Sequence, residues 1–418
     1  MGDFLMGNLS GFPHFMLQEI YEQPEVLRNC LANYFSDSFL ADPSSPHSCL
    51  SDPPLLAACP SIGHYQHFYT SSLFTLPPHL LIDLSEIHII ACGTSRHAAL
   101  IGQYWLEQIA AIPTRIRSGS EFQEAPLPLN PNTLTIGVTQ SGETADTLAA
   151  VRVDRERRSL QSPPFQPRML GITNHPTSSL ATLVDGILPT LAGTEIGVAA
   201  TKTLVTQLAV FFCLVLALAK RRHLITVDYE QRLVSALHQL PTKIQTILEQ
   251  EKTIRQLAQW FLEAQSCIIL GRGINRAIAL EAALKFKETS YLHAEGYAAG
   301  EFMHGPIALL DARVPVIAIA PTDSTYPAIV ANVQKAKTHH APILGIITAN
   351  NAQADHAQTL DHAQASNPLF DHQLVLPTID PLLSPFLTII PLQLLAYHIA
   401  VQRGINVDQP RNITKTLF

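Results

Sequence analysis

The chain has 418 residues, enough for about two or three domains with real cores. With 47% hydrophobic residues and a formal charge of −7 it lacks the basic surplus that nucleic-acid binding uses, so an anionic ligand must be held by local groups. Six cysteines (Cys30, Cys49, Cys59, Cys92, Cys213 and Cys267) follow no metal or disulfide spacing, which predicts reduced thiols in a cytoplasmic protein. Eighteen histidines include no HExxH set, and His339 with His340, and His356 with His362, read as solvated, so neither metal nor cofactor is expected.

In chain order, MLQEIYEQPEVLRNCLANYF predicts a lead-in helix and the Pro/Ser-rich residues 36–60 predict loop, together filling an N-terminal segment, 1–81. No secretory pattern opens the chain, and Met6 fails the hydroxyl requirement of a myristoylation site. EIHIIACGTS is an apolar run that stops at Gly93 and turns into the helical RHAALIGQYWLEQIA. LTIGVTQSGE, RMLGITN and ILPT follow as further strands, and TKTLVTQLAVFFCLVLALAK closes the set as a helix. Its apolar stretch, residues 208–219, is too short for a bilayer and is ended by Lys220, Arg221 and Arg222, which predicts a buried helix and no membrane span. After a helical connector, 223–263, the order recurs: SCIILGRGI with RAIALEAALKFKETS, then PVIAIAPTDS, PILGIITAN, VLPT and LLSPFLTIIPLQLLAYHIAV.

Strands that are apolar throughout and alternate with helices indicate parallel sheets covered on both faces. The fold class is therefore α/β, with two tandem doubly wound domains of similar topology, 82–222 and 264–404, and a C-terminal tail, 405–418. Ligands in such sheets bind beyond the carboxyl ends of the strands, where Thr94, Ser95 and the stretch VTQSGETADT lie. That hydroxyl-rich turn reads either as a cap for the next helix or as a phosphate site. Lys285 and Glu288 share a helix face at i, i+3, with Glu281 at i, i+4 from the lysine; on a mostly apolar helix these charges are more than surface decoration.

Together ACGTS (91–95), QSGETADTLA (140–149), GTEIGVAATK (193–202), ALKFKETSYLHAEGYAAGEFMHGP (283–306), PLQLLAYH (391–398) and DQPRN (408–412) resemble the isomerase half of glucosamine-6-phosphate synthase, and EIYEQP (19–24) resembles the junction before it. The resemblance implies two sugar-isomerase domains acting on fructose 6-phosphate. Thr139, Gln140, Ser141 and Thr144 would hold the phosphate, and Thr94, Ser95, Val198 and position 200 would contact the sugar. Ala200 stands where the family has Ser, which predicts a modest loss of affinity if that side chain is used, and Thr139 replaces a family Ser with the hydroxyl kept. By the same resemblance Glu288 is the base that moves a proton between sugar carbons, with Lys285 supporting charge at the sugar oxygen. His304, in the Gly-flanked loop EGYAAGEFMHGP, would open the sugar ring from across a homodimer interface. Lys415 would form a Schiff base with C2 under the DQPRN tail, where exclusion of water favours the nucleophilic amine.

Three other readings fit parts of the sequence. GRGINR (271–276) as a dinucleotide loop lacks its third Gly, with Arg276 in that place. A non-catalytic sugar-phosphate sensor needs no Schiff-base lysine, whereas Lys285, Glu288, His304 and Lys415 are all present. A deaminase running the reaction in reverse shares the same residues. Only eighteen residues precede Glu19, and Gly2 follows Met1, so the chain is expected to carry no glutaminase domain and to use ammonia, with a separately encoded glutaminase as a compatible partner.

Overall fold

The computed structural model describes residues 11–35, 76–349 and 369–415. The loop expected over residues 36–60, together with Cys49, Cys59, His356 and His362, lies outside them. Five parallel strands form the first sheet: β1 (Glu86–Ala91), β2 (Thr114–Arg117), β3 (Thr133–Val138), β4 (Met169–Thr173) and β5 (Gly186–Pro189), in the order β2-β1-β3-β4-β5. The second contains β6 (Ser266–Gly271), β7 (His293–Ala298), β8 (Val316–Ala320), β9 (Ile343–Thr348) and β10 (His372–Leu376), in the order β10-β9-β8-β6-β7. Read from its other edge this is the same arrangement, so the duplication seen in the sequence is a duplication of topology.

The central strands β1, β3, β4, β8 and β9 are buried at every position, which accounts for their mostly apolar sequences; Glu86 and His88 on β1 are buried against each other at 2.7 Å. Two strands escape the sequence pattern. β2 reads TRIR and β7 reads HAEGYA; both are edge strands, where one neighbour is missing and polar side chains are tolerated. EGYAAGEFMHGP is consequently not one loop: it supplies the end of β7 and a short helix, Ala299–Phe302, before the turn that carries His304.

The longer helices are α1 (Phe15–Tyr34), α2 (Gly93–Gln108), α3 (Ala145–Ser159), α4 (Lys202–Arg221), α5 (Asn275–Ser290) and α6 (Ser384–Gln402), with a helical stretch between the two sheets. The buried helix expected at residues 208–219 is α4, longer than that run: 20 residues with a mean hydropathy of 2.0, enough by length and composition to cross a membrane. Buried Lys202, Thr203, Thr206 and Gln207 extend it, and 94% burial inside the protein accounts for its apolar character as a core helix. Cys30, Cys213 and Cys267 are free and buried, and burial raises each thiol.

One apolar core runs through both sheets. Trp105 on α2 is fully buried, edge-on to Phe212 of α4 (4.9 Å between centroids) and stacked on Phe386 of α6 (6.0 Å). Its indole N–H donates to the Leu382 carbonyl at 2.9 Å. Gly102, one turn earlier, lets α2 approach α4: a Cβ there would lie 2.6 Å from the Phe211 ring. α1 belongs to this core as well, contributing Met16, Ile20, Leu27 and Leu31. The tail is fastened to it, since Asp408 accepts from the Phe15 and Met16 N–H groups, each at 2.9 Å, as an anion at a helix N-terminus should. Arg411 lies over the Tyr291 ring at 4.2 Å.

Trp105→Ala should therefore cost about 3–5 kcal/mol in urea unfolding, through a single transition reporting both sheets. A loss below about 1 kcal/mol, or two separate transitions, would show that the domains do not share this core.

Candidate active site

β1 and β3 run in register, with Ala91 opposite Val138, so the turns after them lie side by side at the carboxyl edge of the sheet. Chain order diverges there, as it does at ligand crevices of open α/β sheets. Gly142 makes the tight turn possible at φ +71°, and a Cβ at that position would be 1.9 Å from Ser178 Oγ. The Thr139 and Thr144 hydroxyls hydrogen-bond at 2.7 Å, and Ser141 Oγ accepts from the Glu143 N–H at 3.1 Å. The Gln140 carbonyl accepts from the Asn174 N–H at 3.0 Å, which ties the turn to the end of β4. Thr144 occupies the N-cap position of α3 but makes no side-chain cap bond. The first-turn N–H groups of this 15-residue helix therefore face the same place as the hydroxyls, an arrangement suited to an anion.

The matching turn of the second sheet is built differently. Asp323 accepts there from the Thr325 N–H (2.7 Å) and hydroxyl (2.6 Å). The second sheet thus carries a carboxylate, which opposes an anion, where the first turn has the Ser141 hydroxyl.

α5 of the second domain lies against α2 of the first, and the contact is ionic. Lys285 Nζ donates to Glu288 Oε2 at 2.6 Å and to Thr94 Oγ1 at 3.1 Å, and lies 3.4 Å from Glu281 Oε1. Thr94 in turn donates to Glu281 at 3.0 Å, and His97 Nδ1 is 2.6 Å from the other Glu281 oxygen. Burial disfavours the Lys285 charge, yet Glu288 and Glu281 outweigh it and push the ammonium above the ordinary lysine range. Burial likewise pushes Glu281 up, but Lys285, His97 and Thr94 hold it below the usual carboxylate range. Glu288 is the partner left part-exposed, at 20%, whereas Glu281 is fully enclosed. Ser95 points elsewhere in the first domain, its Oγ accepting from Gln207 Nε2 at 3.0 Å.

Lys415 joins this cluster through an acid that the sequence reading left unassigned. Its Nζ donates to Glu195 Oε2 at 2.7 Å and to the Gly197 carbonyl at 2.8 Å. Glu195 is enclosed and also accepts from the Thr201 N–H (2.8 Å) and the Thr203 hydroxyl (2.7 Å). Burial would raise it, but Lys415 and these donors hold it low, and its charge also acts on Lys285. A cavity of about 880 Å³ opens beside Lys415, with Val198, Asp408 and the start of α1 on its wall. Ala200 is half-buried in the irregular segment joining β5 to α4.

His304 is not brought to this cluster. It is exposed in the turn after Ala299–Phe302, and its only described hydrogen bond is from its backbone N–H to the Glu301 carbonyl, 3.0 Å. The residues that sequence reasoning missed, Glu195 and His97, carried one signal each: the single acid inside the run GTEIGVAATK, and a histidine one turn from Gly93. Among the described residues no three His, Cys, Asp or Glu side chains are grouped to hold a metal ion.

The family described as SIS domain matches residues 80–217 and 261–403. The glutamine–fructose-6-phosphate aminotransferase (isomerizing) of Thermosynechococcus vestitus is 50% identical over 99% of this chain and 60% of its own length. That of Methanosarcina acetivorans is 39% identical over 99% of this chain and 60% of its own. The chain thus spans about 60% of the length of these curated relatives. The solved C-terminal domain of glucosamine-fructose-6-phosphate aminotransferase from Francisella tularensis superposes with a TM-score of 0.81 at 30% identity, covering 96% of this chain and 99% of that one. The chain belongs to the SIS domain family, as a tandem pair of the kind that forms the C-terminal domain of glucosamine-fructose-6-phosphate aminotransferases.

Proposed function

We propose that the chain isomerises fructose 6-phosphate and, given ammonia, converts it to glucosamine 6-phosphate. The observation that carries this reading is the meeting of both domains at one point: Thr94, beside the hydroxyl-rich turn, bonds directly to Lys285, which pairs with Glu288. An anchored phosphate at Thr139, Gln140, Ser141, Thr144 and the start of α3 would lay the sugar chain towards that pair, past Thr94 and Ser95 and the 198–200 segment. The relatives, aminotransferases acting on fructose 6-phosphate by name, point the same way.

In the proposed reaction the Lys415 amine attacks C2 of the open-chain ketose and releases water, and ammonia then displaces the lysine from the imine. Glu195 holds the Lys415 nitrogen, and the ammonium's proton leaves with the departing water as the imine forms. Glu288 removes a proton from C1 and returns it to C2, moving the unsaturation by one carbon. Lys285, held cationic between two carboxylates, stabilises the negative charge that develops at the sugar oxygen; that same charge makes it a poor nucleophile, which favours Lys415 for the imine. His304 would serve the neighbouring protomer of a homodimer as the acid/base for ring opening. Glutamine would serve as nitrogen donor only through a glutaminase, on this polypeptide or another.

Three measurements test the reading. The chain incubated with fructose 6-phosphate should yield glucosamine 6-phosphate with ammonium and glucose 6-phosphate without nitrogen; absence of any aldose product would sink it. Ser141→Ala should weaken phosphorylated sugars by about 1–3 kcal/mol and leave free fructose unchanged, whereas equal losses would remove the turn from phosphate binding. Borohydride added with fructose 6-phosphate should trap an adduct on the C-terminal peptide, lost in Lys415→Arg because a guanidinium stays protonated. An adduct on Lys285 would reassign the nucleophile.

A further inference from the structure

The acceptors of Lys415 are themselves held from outside both sheets. Glu19 on α1, in the segment EIYEQP, is 3% exposed. Its Oε1 accepts from the Ile196 N–H at 2.5 Å and the Gly197 N–H at 3.1 Å. These two peptide groups lie between the Glu195 carboxylate and the Gly197 carbonyl, the two groups that receive the Lys415 ammonium. The fit is close: a Cβ at Gly197 would lie 2.7 Å from Glu19 Oε2, so a side chain there would have to displace the carboxyl. That second oxygen is buried without a hydrogen-bond partner among the described residues.

We propose that Glu19 is a positioning residue for the reaction: it fixes residues 195–197 so that Glu195 and Gly197 hold the Lys415 amine, and its ionisation retards loss of that amine's proton. The inference rests on the imine role given to Lys415 above. Burial, and then the Glu195 charge, push the Glu19 carboxyl up to about 8, against the pull of Lys415 and the two backbone N–H groups. At neutral pH it is therefore an uncharged strut, which leaves Glu195 as the one carboxylate paired with Lys415. Above that range a second negative charge appears beside a single cation. The other charged groups against α1 are engaged: Lys202 with Glu22 (2.6 Å), Asp408 with the helix N-terminus, and His398 with Glu251 (3.1 Å), while Glu25 and Arg28 are exposed.

Two variants separate the strut from the charge. Glu19→Gln keeps an acceptor for Ile196 and Gly197 and cannot ionise, whereas Glu19→Ala leaves both N–H groups unpaired. On the full chain, Lys415 is followed by borohydride trapping with fructose 6-phosphate and, without sugar, by acetic anhydride labelling of the C-terminal peptide from about pH 7 to 10. Circular dichroism confirms folding. Glu19→Gln should match the unsubstituted chain within about twofold at pH 7 and label roughly three- to tenfold faster at pH 9. Glu19→Ala should trap at least about tenfold more slowly throughout, with fructose 6-phosphate affinity within about twofold. Superimposable labelling profiles for the unsubstituted chain and Glu19→Gln overturn the proposal, including where Glu19→Ala fails to fold. If labelling separates as stated but no chain is trapped, Glu19 acts on Lys415 as inferred and the imine role falls instead.

Discussion

A fully buried ammonium, that of Lys285, sits on the seam between two domains, and much of the architecture answers the cost of keeping it there. Taking such an ion out of water costs several kcal/mol even after relaxation, and only close, well-oriented partners offset it. Glu281 and Glu288 supply two negative charges for one positive, and Thr94 supplies an acceptor from the opposite domain. The surplus negative charge is settled at Glu281 by His97 and Thr94, also from the opposite domain. Glu288 is thereby left as the carboxylate with an open side, which is where a base for carbon acids has to be. The cluster exists only while α2 and α5 are pressed together, and the common core around Trp105 holds them so.

Duplication gave two sheets of one topology, and the structure uses them unequally. The turn after β3 presents hydroxyls and free helix N–H groups, whereas its counterpart after β8 presents Asp323. The second domain contributes the helix with Lys285 and Glu288 instead, and the tail brings back Lys415 to the first domain. α1 links these parts: Asp408 caps its N-terminus, and Glu19, one turn later, supports the loop on which Lys415 rests. In the reaction proposed here the anchor, the base and the nucleophile thus come from three separate stretches of chain, the first held by neutral hydrogen bonds and the other two by ion pairs.

Much of this was legible in the sequence, for a physical reason. Central parallel strands are covered on both faces, so β1, β3, β4 and their counterparts β6, β8 and β9 read as predominantly apolar runs, and their repetition gave the tandem fold. β2 and β7 were illegible because edge strands accept Arg115, Arg117, His293 and Glu295 without penalty. Local spacing revealed the Lys285–Glu288 pair, since i, i+3 contacts are set by helix geometry alone. The bonds from Thr94 to Lys285, from Lys415 to Glu195 and from Glu19 to Gly197 cross 178 or more positions, and no periodicity encodes them. The same holds for α1, whose helical character was plain but whose place in the core was not.

In the proposed reaction the part-exposed Glu288, paired with Lys285, moves a proton between C1 and C2 of a phosphorylated ketose. Fructose 6-phosphate incubated with the chain in deuterium oxide, followed by NMR at C1 and C2, tests it without reference to nitrogen source or net direction. The account predicts deuterium uptake from solvent with the unsubstituted chain and a rate lower by about 10²–10⁴ with Glu288→Gln, whose fructose 6-phosphate binding stays close to normal. Exchange at an undiminished rate in Glu288→Gln would contradict it.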